Sequence, residues 1–186
     1  TIHALRRNMN MTYIVMDNQI YGLTKGQTSP SSAKGFVTKS TPKGNIEKNV
    51  APLELALSSG ATFVAQGFSS DIKALTKMIE DAIHHDGFSF VNVFSPCVTY
   101  NKVNTYDWFK EHLTSIDDIE GYDITDKQLA MKTVLDHESL VKGIVYQDTT
   151  TPSYESQISE LEHEALAKRD IHITEETFND LTAQFL

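Results

Sequence analysis

The sequence predicts an α/β fold, a mostly parallel sheet with helices on both faces. Short apolar or β-branched runs alternate with helical patterns between residues 11 and 94, and strands separated by helices join through right-handed crossovers into parallel pairs. Two of these runs, 11–16 and 88–94, end abruptly in Asp17-Asn18 and in Ser95-Pro96. Polar or turn-forming residues at strand ends mark the edge where open α/β sheets bind ligands.

Thr1 to Asn8 reads as a helix-like segment ending in Arg6 and Arg7. Because the first residue is Thr1 rather than Met and already lies in an element, we expect the sequence to be part of a longer chain. Residues 11–16 suit a strand buried on both faces of a parallel sheet. Residues 21–48 are rich in Gly, Ser, Thr, Pro and Lys without apolar periodicity, and so long a loop is usually functional or disordered. We expect part of it to be functional.

A regular pattern follows. Residues 52–59 form a short helix stopped by Gly60, and 61–65 a strand. Ser70 or Asp71 can cap a second helix with Ile72, Leu75, Ile79 and Ala82 on one face, ended by Gly87, and 88–94 is the next strand. Beyond it, 108–113 and 127–135 are helical in pattern, 143–146 is a short strand, and 156–168 places Ile158, Leu161 and Ala165 on one face. Thr174 can cap a last helix running to Phe185. We divide the chain into a domain over 1–150 and a helical extension over 151–186, whose many acids and modest apolar face suit packing on another surface.

The net charge of −9 is unevenly spread: seven Lys and Arg face two acids in residues 1–50, three face five in 51–106, and six face eighteen in 107–186. The basic end is where an anion would sit. Its positive charges are interspersed with Ser, Thr and Gly and lack aromatic stacking platforms, which argues against a nucleic-acid partner. Neither a membrane span nor a secretion signal is present in the pattern, so the expected location is cytoplasmic. Cys97 is the single cysteine, and composition alone makes it a small buried hydrophobe. His84 and His85 precede Asp86-Gly87 at a helix end and read as structural, and no histidine pair has metal-ligand spacing. Ser58-Ser59 and Ser69-Ser70 lack nucleophile-elbow context.

Two strings carry chemistry. The first, Asp17-Asn18-Gln19-Ile20-Tyr21-Gly22-Leu23-Thr24-Lys25-Gly26-Gln27, follows Arg6-Arg7-Asn8 and a predicted strand. The second, Ser95-Pro96-Cys97-Val98-Thr99-Tyr100-Asn101, follows another. Both resemble the β subunits of 2-oxoacid:ferredoxin oxidoreductases, a thiamine-diphosphate family, over nearly the whole chain and least after about residue 155. The resemblance implies a thiamine-diphosphate-binding fold whose N-terminal part is missing. It also implies that the Asn18 side chain and the Ile20 carbonyl ligate Mg²⁺ while backbone at Gly22, Leu23 and Thr24 approaches the diphosphate. A hard cation that favours oxygen donors is consistent with these roles. The family's carboxylate ligand, in a Gly-Asp-Gly turn, would lie upstream of Thr1.

By the same resemblance Cys97 completes the thiolates of a [4Fe–4S] cluster, which needs three more cysteines from elsewhere. The Leu23-Thr24-Lys25 form resembles members that accept 2-oxoglutarate or a broad range, and Lys25 could pair with the distal carboxylate of such a substrate. The implied activity is oxidative decarboxylation of 2-oxo acids to acyl-CoA and CO₂ with reduction of ferredoxin. An α subunit is the implied partner, in a dimer of heterodimers, and supplies the glutamate that activates the cofactor, so no acid or base is assigned here. Two rivals stand beside this reading. One is a thiamine enzyme without a cluster, a decarboxylase or synthase, separable by iron and sulfide analysis; the other is a non-catalytic α/β interaction module, separable by cofactor binding.

Overall fold

The computed structural model describes residues 1–161, 166–168, 170 and 172–185, in two compact units, Thr1–Tyr154 and Glu155–Leu186. In the first, helix α1 (Ile2–Arg7) leads to strand β1 (Met11–Asp17), and a long loop to α2 (Pro52–Ser58) and β2 (Phe63–Phe68). Then come α3 (Ile72–His84), β3 (Phe88–Phe94), α4 (Tyr106–His112), β4 (Thr114–Ser115), α5 (Lys127–Asp136) and β5 (Val141–Gln147). The sheet order is β1-β3-β2-β5-β4. β1, β3 and β2 pair in parallel, as expected of strands joined through helices. β5 runs antiparallel to β2 and parallel to the two-residue β4.

Alternate residues of the strands pack on opposite layers. Phe88 and Phe90 of β3 and Val64 of β2 join Leu5, Leu53, Leu57, Ala130 and Val134, so α1, α2 and α5 cover one face. Phe63, Ala65, Val91 and Val93 meet Leu75, Met78 and Ala82 of α3 on the other. A Cβ on Gly67 would lie 2.7 Å from Leu75 Cδ1. The missing side chain lets α3 reach the sheet there, which is one reason its buried face runs through Leu75, Met78 and Ala82 while Ile72 stays 74% exposed. Asp71 rather than Ser70 caps the helix, accepting from Ala74 N at 3.4 Å.

Several expectations are revised. β1 is an edge strand, and its residues Met11, Tyr13, Ile14 and Met16 are exposed instead of buried on both faces. β2 begins two residues later than expected, at Phe63. α4 starts at Tyr106 because Thr105 accepts from Trp108 N at 3.3 Å. β5 is seven residues long, since it pairs on both sides.

In the second unit, the stretch expected as a helix over 156–168 contains 3₁₀ turns at Glu155–Gln157, Ser159–Leu161 and Leu166–Lys168; Ala165 lies outside the described residues. Helix α6 (Glu175–Ala183) is capped by Thr174, whose hydroxyl accepts from Thr177 N at 3.2 Å. Glu175 and Glu176 in its first turn suit the helix dipole. Among the described residues, no helix is long and apolar enough to cross a membrane.

Candidate cofactor site

The parallel register sets Asp17 beside Phe94, so β1 and β3 end side by side at the carboxyl edge of the sheet. The two chemistry-bearing strings therefore leave the sheet as neighbours. Ser95 N donates to Asp17 O at 2.8 Å, which joins the strand ends. Asn101, almost fully buried, donates through Nδ2 to Asn18 O at 3.4 Å. Its own loop is held by Asn101 N on Cys97 O at 2.9 Å and by Val103 N and Asn104 N on its Oδ1.

The two strings also meet at Gly22. A Cβ there would stand 3.2 Å from Cys97 Sγ and 3.7 Å from Asn18 Nδ2, so the glycine brings its backbone against both side chains. Asn18 Oδ1 accepts from Ile20 N at 3.1 Å, a local turn that short polar side chains favour. Tyr21 N and Gln27 O bond at 3.0 Å and close the Gly22–Gly26 loop. Tyr100 packs on Gly26, whose φ of +96° suits glycine, with a Cβ position 3.2 Å from the ring. Lys25 sits exposed in this loop with φ +75°, and Leu23 is 99% exposed.

Residues 29–32 fold back to support the turn. Ser31 Oγ donates to Asp17 Oδ1 at 2.6 Å, Ser32 Oγ to Gln19 O at 2.7 Å, and Gln19 N to Asp17 Oδ1 at 3.0 Å. Burial raises the pKa of the Asp17 carboxyl, and hydrogen bonds from Ser31, Gln19 and Asn92 oppose that rise. A cavity of about 580 Å³ opens at this edge, and its lining includes Asn18, Ile20, Gly22, Leu23 and Thr24, with Asp17, Ser31 and Asn92 behind them. All five residues assigned to cofactor from the sequence thus border one cavity. Lys25 and Cys97 do not line it, although the half-buried Cys97 lies with its Sγ against Gly22.

The donor set fits a magnesium diphosphate in part. An amide oxygen at Asn18 and a carbonyl at Ile20 are hard donors, and Mg²⁺ normally completes its octahedron with waters and phosphate oxygens. Among the described residues, no three His, Cys, Asp or Glu side chains converge on a metal position. A [4Fe–4S] cluster requires four thiolates, and this chain holds one cysteine. His84 and His85 bond elsewhere, to Glu80 O and to Thr62.

Sequence reasoning gave no role to Ser31, Asn92 or Gln66. The signal for two of them was a polar residue in the middle of an otherwise apolar strand.

Two family models match the chain: the C-terminal TPP binding domain of thiamine pyrophosphate enzymes over residues 1–93, and the C-terminal region of the pyruvate ferredoxin oxidoreductase β subunit over residues 97–163. A 2-oxoacid:ferredoxin oxidoreductase subunit β from Sulfolobus sp is 40% identical over 167 residues, covering 84% of this chain and 55% of the relative. The 2-oxoglutarate oxidoreductase subunit KorB of Mycobacterium tuberculosis is 47% identical over 100 residues, 54% of this chain and 27% of that one. A solved structure, 2-oxoglutarate:ferredoxin oxidoreductase from Magnetococcus marinus with 2-oxoglutarate, coenzyme A and succinyl-CoA bound, superposes with a TM-score of 0.83 at 33% identity. That match covers 97% of this chain and 60% of the other. The chain therefore spans 55% of the Sulfolobus relative and 60% of the solved chain. It belongs to the thiamine pyrophosphate enzymes and, among them, to the β subunits of the 2-oxoacid:ferredoxin oxidoreductases.

Proposed function

We propose that the protein containing this chain oxidatively decarboxylates 2-oxo acids to acyl-CoA and CO₂, reducing ferredoxin, with 2-oxoglutarate as a favoured substrate. The observation that carries the reading is the contact of Gly22 with both Asn18 and Cys97, a cofactor-type turn and a single thiol on adjacent strand ends. Relatives named for 2-oxoacid and 2-oxoglutarate oxidation support the substrate class.

In this reading the Asn18 amide and the Ile20 carbonyl would hold Mg²⁺, and backbone at Gly22, Leu23 and Thr24 would receive the diphosphate. Bound thiamine diphosphate supplies stabilisation of the carbanion left by decarboxylation. The buried Asp17, tied to Ser31 and to Gln19 N, holds the turn that presents Asn18. Cys97 would contribute one thiolate to a [4Fe–4S] cluster, with the remaining ligands outside this sequence, giving electrons a one-at-a-time route to ferredoxin. The enzyme is completed by an α subunit, as a dimer of heterodimers in the cytoplasm. Lys25 contributes to substrate choice by pairing its ammonium with a distal carboxylate.

The test uses the whole enzyme. Asn18→Ala is expected to weaken thiamine-diphosphate binding with Mg²⁺ by about a hundredfold or more, as loss of a direct metal ligand should exceed the 10–100-fold typical of outer partners. Cys97→Ser should abolish the iron–sulfur signal and leave cofactor binding in place. Undiminished iron and sulfide in Cys97→Ser would remove the cluster role. Lys25→Gly should cut the preference for 2-oxoglutarate over pyruvate by roughly tenfold, the worth of a charge-assisted hydrogen bond. Since φ at Lys25 is +75°, glycine relieves the backbone there, so an unchanged preference would speak directly against the pairing.

A further inference from the structure

Behind the large cavity lies a small one of about 40 Å³, bordered by Asp17, Gln19, Ser31, Gln66 and Asn92. Asp17, Ser31 and Asn92 line both cavities and, with Val50 and Pro52, form the wall between them. Asn92 and Gln66 are each 1% exposed, at paired positions of β3 and β2, where the sheet face otherwise carries phenylalanine and valine. Polar side chains this deep need every hydrogen bond they can make.

Gln66 fixes the orientation of the pair. Its Nε2 donates to Ser139 O at 2.7 Å and Val141 O at 2.6 Å, so its Oε1 is left to accept from Asn92 Nδ2 at 2.8 Å. Asn92 Oδ1 is then buried with no donor, and Gln19 Oε1 is in the same position. Ser31 has spent its proton on Asp17. The polar side chains of the wall thus offer more acceptors than donors. Water brings two donors, and the small cavity exceeds the roughly 10–15 Å³ a water needs.

We propose that Asn92 is a positioning residue for the Asn18–Gly22 turn: its free Oδ1 anchors an internal water in the small cavity, and amide and water together hold the Asp17 side of the wall. The proposal rests on the cofactor reading above. It locates part of the turn's rigidity in a residue of β3, outside the turn itself.

The test is the double variant Asn92→Leu/Gln66→Met in the whole enzyme. Both ends of the amide pair become apolar at similar volume, so neither is left facing an orphaned partner within the pair. The melting temperature is expected to fall, because Gln66→Met also strands the Ser139 and Val141 carbonyls; in protein kept below that transition, the Kd for thiamine diphosphate with Mg²⁺ rises about tenfold, the range seen when outer partners of a metal site are removed. An unchanged Kd, with Asn18→Ala still losing binding, would overturn the role of Asn92 alone. Wild-type enzyme that fails to bind thiamine diphosphate, or Asn18→Ala that binds like wild type, would overturn the cofactor reading and this proposal together. If the double variant does not fold, a high-resolution density map of the wild-type enzyme decides: an ordered water within hydrogen-bond distance of Asn92 Oδ1 supports the assignment, and an empty cavity overturns it.

Discussion

The two edges of one sheet solve the same problem in opposite ways. At the amino edge, Asn8 Oδ1 accepts from Thr62 Oγ1 at 2.7 Å and Phe88 N at 2.8 Å, and its Nδ2 donates to Thr151 O and Pro152 O. Thr62 Oγ1 also meets His85 Nε2 at 2.7 Å. At the carboxyl edge, Asp17, Asn92 and Gln66 are as deeply buried, yet two amide oxygens, those of Asn92 and Gln19, lack donors. A closed network rigidifies, whereas one with unmet acceptors is ready to receive something else. Polarity and depth do not separate a structural network from a binding site; completeness does.

The sharpest way to break the comparison is with matched glycines. Gly87 has φ +136°, and a Cβ there would fall 2.5 Å from Asn8 Oδ1 and 2.8 Å from Thr62 Oγ1. Gly87→Ala should therefore cost about 3 kcal/mol or more, combining backbone strain with disruption of the network. At about 2–4 °C per kcal/mol for a chain of this size, that is a fall on the order of 10 °C in melting temperature. Gly22→Ala meets only Cys97 Sγ at 3.2 Å and Asn18 Nδ2 at 3.7 Å. Its expected stability change is within about 1 kcal/mol, as for a substitution that causes no large clash, with its effect on cofactor and iron content instead. Equal melting temperatures for the two variants would erase the distinction.

The next test exchanges the asparagines. Asn8→Ala strands the Phe88 N–H in the interior and leaves the Thr62 hydroxyl with His85 Nε2 alone, which should cost about 1–3 kcal/mol for the orphaned amide. Cofactor affinity should hold. Asn18→Ala should do the reverse, because its amide serves a single local turn in this chain. Thermal melts and cofactor titrations of both variants give the four numbers needed.

Much of this contrast could be read from the residues, and some could not. The order of helices and strands through residue 94, the loop after Asp17-Asn18 and the Cys97 turn followed from apolar runs and their stops. The exposure of β1 did not: its apolar residues are those of a buried strand, yet Met11, Tyr13, Ile14 and Met16 are exposed in this chain. The antiparallel course of β5 depends on a partner, β2, lying far from it in sequence. Likewise, Gly22 meeting Cys97, or Asn92 meeting Gln66, requires the register of three strands, which no local pattern specifies.

The smallest effect concerns pH. Burial lowers the pKa of His85 below its ordinary 6.5, against the opposing pull of Asp86 and Asp148. A histidine whose folded pKa is depressed binds its proton more readily once unfolded, so the native state is favoured while the ring is neutral. That contribution is complete above pH 6.5 and is lost as the pH falls from there toward the folded value. Stability should consequently decline from pH 7 to 5, and His85→Gln should flatten that part of the decline. A proton on the ring would also make Nε2 a donor only, while Thr62 Oγ1 already gives its proton to Asn8. The bond can survive with the hydroxyl accepting, so the pH effect must come mainly from burying charge and should be modest. A His85→Gln protein with the same pH slope as wild type would assign the decline to other groups and leave the amino edge closed at every pH tested.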